Sequence, residues 1–71
     1  MKKVYERKIG NFKGTVYLYD IGYGYKIRYG KEIVNRSYYY SINKEDMINE
    51  MDQVLKSLSG YDKDLFDLER L

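Results

Sequence analysis

Between Asn43 and Gly60 the chain writes out a helix together with both of its ends, and everything else that folds must give that helix an apolar seat. Asn43 is suited to N-cap the helix, offering its side-chain oxygen to free backbone N–H groups of the first turn, where Glu45 and Asp46 also meet the positive end of the helix dipole. Ile42 before the cap and Met47 four positions into the helix are spaced for a hydrophobic staple. Met47, Ile48, Met51, Val54, Leu55 and Leu58 recur at steps of three and four, with Glu45, Asn49, Asp52, Gln53 and Lys56 between them. One stripe is apolar. Gly60 can end the helix in the left-handed conformation, leaving Tyr61 free to fold back towards Leu55.

The seat lies upstream. Gly10 to Gly14, Gly22 to Gly24 and Gly30-Lys31 separate four runs rich in β-branched and aromatic residues, the pattern of an antiparallel meander. The runs predict strands over Val4 to Ile9, Thr15 to Ile21, Tyr25 to Tyr29 and Glu32 to Ser41. A two-residue, Gly-first turn at Gly30-Lys31 would set Ile27 opposite Val34, Lys26 opposite Asn35 and Tyr25 opposite Arg36. Placing Leu18 beside Ile27 then gathers Val16, Leu18, Ile27 and Val34 on the helix side, with Tyr5, Ile9, Tyr25, Tyr38, Tyr40 and Ile42 nearby. By alternation, Glu6, Lys8, Tyr17, Tyr19, Lys26, Arg28, Asn35, Ser37 and Tyr39 turn outward. A slip of one residue would reverse this and put Tyr17, Tyr19 and Ile21 inside.

The fold expected is therefore α+β: a four-stranded antiparallel β-meander with one long amphipathic helix packed on one face, in a single domain over 1–71. Asp62 or Asp64 can cap a short C-terminal helix carrying Leu65, Leu68 and Leu71, too short to persist in water without docking. A domain of 71 residues without Cys or His has neither disulfide nor zinc to hold it, so its ten Tyr must supply packing, and homodimerisation is an additional expectation. Charge interrupts the only stretch resembling a leader, at Glu6-Arg7-Lys8, and no run is long enough to span a bilayer; a cytoplasmic protein with no membrane contact is expected.

Chemistry is sparse. Without His or Cys the usual acid, base and nucleophile machinery is absent, so no enzyme, no cofactor and no metal are expected. Asp62, Asp64 and Asp67 lack the glycine and closing glutamate of a calcium loop, and Gly22-Tyr23-Gly24 lacks the Gly-Lys-Ser/Thr of a phosphate loop. The net charge of +2 conceals an asymmetry: residues 1–44 carry ten bases against three acids, net +7, and residues 45–71 carry three bases against eight acids, net −5.

What remains is an outward sheet face on which aromatic and basic side chains interleave, with Lys8, Tyr17, Tyr19, Lys26, Arg28 and Tyr39 as candidate binding residues. Flat rings for stacking and cations for phosphates point to nucleic acid. The rival is a protein partner held by the same tyrosines, in the manner of the small inhibitors and adaptors that phages and mobile elements direct at host proteins; the acidic C-terminal part favours it. The order of elements over Gly14 to Leu58, with Ser41-Ile42-Asn43-Lys44-Glu45 entering the helix, is similar in outline to the arm-site-binding N-terminal domains of phage and transposon integrases. That resemblance implies a sheet face laid into the DNA major groove, and it rests on topology alone.

Overall fold

Two residues suffice to reverse the chain at each hairpin, and that fixes each register next to its turn, with later shifts at Val4 in the first pair and Val34 in the last. In a computed structural model, which describes residues 1–60, the chain forms β1 (Lys2–Ile9), β2 (Phe12–Tyr19), β3 (Gly22–Tyr29), β4 (Glu32–Arg36) and α1 (Lys44–Ser59). The strands pair antiparallel in the order β1-β2-β3-β4, with α1 across one face. Gly10 and Gly30 stand first in their turns at φ 60° and 61°, a conformation in which a side chain is strained. The short C-terminal helix expected beyond Gly60 lies outside the described residues.

Glycine proves to be packing space as much as punctuation. β2 and β3 begin three residues earlier than expected, taking Gly14, Gly22 and Gly24 into strands, and the turn between them is Asp20-Ile21. Leu18 therefore faces Tyr23 rather than Ile27, while Gly14 faces Ile27 and Val16 faces Tyr25. The displacement is four residues, an even number, so the inner and outer faces of both strands stay as the alternation predicts. A Cβ on Gly14 would collide with Met51; its bareness lets the helix lie close.

β4 departs more. It ends at Arg36 instead of Ser41, and the register shifts between Arg28↔Ile33 and Ile27↔Asn35, leaving Val34 as the extra residue of a bulge. Past the bulge the faces exchange. Asn35 turns inward, where its Oδ1 accepts from the Tyr25 hydroxyl at 3.3 Å, and Arg36 turns outward opposite Lys26. Val34, expected in the core, is 43% exposed. After Arg36, Ser37 accepts the Tyr25 N–H on its Oγ, and Ser41 makes an isolated bridge to Tyr23.

The core is Val16, Tyr25 and Ile27 from the sheet against Met47, Met51 and Leu55 from α1, with Val4, Tyr5, Ile9, Phe12, Tyr23, Ile48 and Val54 around it. Asn43 caps the helix as expected, accepting from Glu45 N at 2.9 Å and Asp46 N at 3.3 Å, and Gly60 ends it at φ 77°. The staple does not form: Ile42 is 94% exposed while Met47 is buried. Tyr38 likewise stands in solvent rather than beneath the helix, and Leu18 and Leu58 are exposed edges of the apolar surface. An ion pair from Arg7 on the inner face of β1 to Asp52 at 3.3 Å ties sheet to helix.

Candidate functional site

The outer face is laid out in cross-strand rows about 7 Å apart, two residues along each strand. The row nearest the Gly10 and Gly30 turns is Lys8, Lys13, Arg28 and Ile33; the next is Glu6, Thr15, Lys26 and Arg36; the third is Lys3, Tyr17 and Gly24; and Tyr19 beside Gly22 closes the series. Thr15 is buried although it points away from the helix, so the longer side chains around it lie down over the sheet. Lys8, Asn11, Lys13, Tyr29 and Gly30 line a shallow recess at the turn end.

Tyr17 organises the centre. The Arg28 guanidinium donates to its hydroxyl at 3.1 Å, and the Lys26 ammonium sits 5.5 Å from its ring centroid. Two cations are thereby held against one ring. Tyr17 and Tyr19 lie with centroids 6.0 Å apart, and Tyr40 meets Tyr19 edge-to-face at 5.1 Å. Gly24 gives these rings their floor, since a Cβ there would lie 3.2 Å from Tyr40 and 3.3 Å from Tyr19.

The structure thus brings Tyr17, Tyr19, Lys26 and Arg28 together, with Lys8 at the basic end of the same face. It does not bring Tyr39. That side chain turns to the helix, where its hydroxyl donates to Glu50 at 2.5 Å, because the chain has left the sheet after Arg36 and strand alternation no longer applies. Tyr40 takes the outward place. Lys3, Lys13, Arg36 and Tyr40 are the members that sequence reasoning missed. Lys13 was legible as the period-two neighbour of Thr15 and Tyr17 once Gly14 is read as part of the strand, whereas the bulge that turns Arg36 outward left no signal.

The tyrosines divide electrostatically. The hydrogen bond from Arg28, helped by its charge, holds the Tyr17 hydroxyl below the usual tyrosine value, while burial raises Tyr19 and Tyr25 and the hydrogen bond to Glu50 raises Tyr39. A raised group contributes stability that is intact below the unfolded value, about 10, and lost as pH climbs through the folded value; Tyr17 contributes in the opposite sense. Tyr25, raised by burial, is expected to lose its share of stability as pH passes about 10, so the urea midpoint should drop less between about pH 9 and about pH 11 in Tyr25→Phe than in the unaltered domain. An equal drop in both would contradict this assignment.

Among the described residues no three acidic side chains converge as a metal site requires, and no helix is long and apolar enough to cross a membrane. Comparison with protein-family models, with curated proteins and with solved structures finds no match to the chain.

Proposed function

We propose that this domain is a non-catalytic binding module whose outer sheet face takes a nucleic acid. The observation that carries the reading is the separation of charge across the sheet. Among the described residues the outer rows present Lys3, Lys8, Lys13, Lys26, Arg28 and Arg36 against Glu6, whose carboxylate is 3.3 Å from Lys3. The acids of α1, Glu45, Asp46, Glu50 and Asp52, lie on the other side of the sheet, so they do not border the basic rows. Their repulsion of phosphates is thereby directed away from the face that would bind them.

Neutralising phosphates releases counterions, so binding of a labelled oligonucleotide, read by fluorescence anisotropy, is expected to weaken steeply from about 50 to about 200 mM salt. Absence of binding, or binding indifferent to salt, would remove the reading.

A protein partner is favoured by a different observation: Ile42 is 94% exposed and Ile21 69%, flanking the Tyr23–Ser41 bridge, and Tyr38 is 98% exposed beside the β4 edge. Under that reading the domain acts as a small inhibitor or adaptor. Capture of one protein from nuclease-treated lysate, abolished by Tyr38→Ala and indifferent to Lys26→Ala, would establish it in place of the first.

A further inference from the structure

Taking the nucleic-acid reading as its basis, we propose that the ligand is single-stranded, with its unpaired bases on Tyr19 and Tyr40 and its phosphates running towards Lys13, Lys8 and Arg28. The width of the face is the first reason. Four strands at about 4.8 Å spacing measure about 14 Å across their backbones, whereas the B-DNA major groove is about 12 Å wide and admits a helix or a two-stranded ribbon. The whole face therefore cannot enter a groove, and a duplex resting on it would offer only its outer phosphates.

The second reason is the division of labour along the strands. The cations Lys8, Lys13 and Arg28 share the row at one end, Lys26 and Arg36 the row beside it, and Tyr19 and Tyr40 lie at the other end, with Lys13 and Tyr19 six residues apart on β2, about 20 Å. Rings can stack only on bases whose faces are free, and a duplex hides all but its terminal pair. Cations at one end and rings at the other suit a strand that can turn its bases and its backbone to separate surfaces. Tyr17 is not one of the stacking rings, because Lys26 lies over it and Arg28 holds its hydroxyl; it is a positioning residue for both cations.

The ring pair is also well placed to take a base. Tyr40 is 46% exposed, meets Tyr19 edge-to-face and lies over the bare backbone of Gly22 and Gly24, outside the buried core, so swinging it aside would let a base meet the Tyr19 face.

The test is anisotropy at one moderate salt concentration with three labelled probes of about 12 nucleotides: an oligodeoxythymidylate strand, its duplex with oligodeoxyadenylate, and an abasic strand of the same length. The thymidylate strand is expected to bind about tenfold or more tightly than either of the others, the gap corresponding to stacking of one or two bases. Tyr19→Leu with Tyr40→Leu should erase the gap between thymidylate and abasic strands and leave abasic binding unchanged. The three-probe comparison needs only the unaltered protein, so misfolding of the variant would not decide the matter. Duplex bound as tightly as single strand, or abasic strand as tightly as thymidylate, would overturn this inference and leave the nucleic-acid reading standing. Failure of all three probes to bind would overturn both.

Discussion

Gly14→Ala and Met51→Ala are each expected to destabilise the domain, and together to cost less than the sum of the two. Gly14 lies in β2 directly beneath α1, where an added Cβ would intrude on Met51 Sδ and come within 3.2 Å of Cγ and 3.3 Å of Cε. Met51 is fully buried in the core cluster, so its side chain can yield only by repacking within the core. Overpacking of this kind costs about 1–3 kcal/mol. Removing Met51 instead leaves a cavity in a small core, at about 2–5 kcal/mol. Against a total stability of roughly 4–10 kcal/mol for a chain of this length, either change lowers the urea midpoint substantially. In the double variant the alanine methyl at position 14 occupies part of the space Met51 vacates, and a favourable coupling of about 1 kcal/mol or more is expected. Additive losses would show that the helix is not seated on the bare backbone at Gly14.

Lys26→Ala combined with Arg28→Ala should reduce oligonucleotide affinity by about tenfold or more and lower the slope of log affinity against log salt by about 1.4, from roughly 0.7 per phosphate contact on a single strand. These two cations occupy adjacent rows of the same strand and are both held by Tyr17, so they meet a backbone as a fixed pair rather than as separate flexible charges. The matched control is Lys44→Ala with Lys56→Ala, which removes the same net charge from α1 on the far side of the sheet. It should change affinity far less. Equal losses in the two variants would mean that net charge alone, and not the outer face, attracts the ligand.

How far the fold was legible follows from which interactions are local. The helix was readable to its caps because Asn43 and Gly60 act on backbone groups within a few residues, and the stripe Met47, Met51, Leu55 needs only the helical period. Faces of β2 and β3 were readable although their pairing was not, because face depends on alternation alone while pairing depends on where the turn falls. Glycine misled at the turn. Gly22 and Gly24 look like a loop, yet the structure uses the missing side chain of Gly24 to admit Tyr19 and Tyr40. β4 was least legible, since the bulge at Val34 serves a contact between Asn35 and Tyr25 that spans two strands. That is why Arg36 was assigned to the wrong side and Tyr39 was exchanged with Tyr40, while Tyr17, Tyr19, Lys26 and Arg28 fell where alternation put them.

Because a cationic sheet surface stands opposite a helix in which Glu45, Asp46, Glu50 and Asp52 outnumber Lys44 and Lys56, the described residues carry an electric moment roughly normal to the strands. In the field of any polyanion such a body feels a torque before it feels contact, and it turns until the rows of lysine and arginine lead. A thin sheet with one helix is enough to give a chain of small net charge a preferred direction of approach.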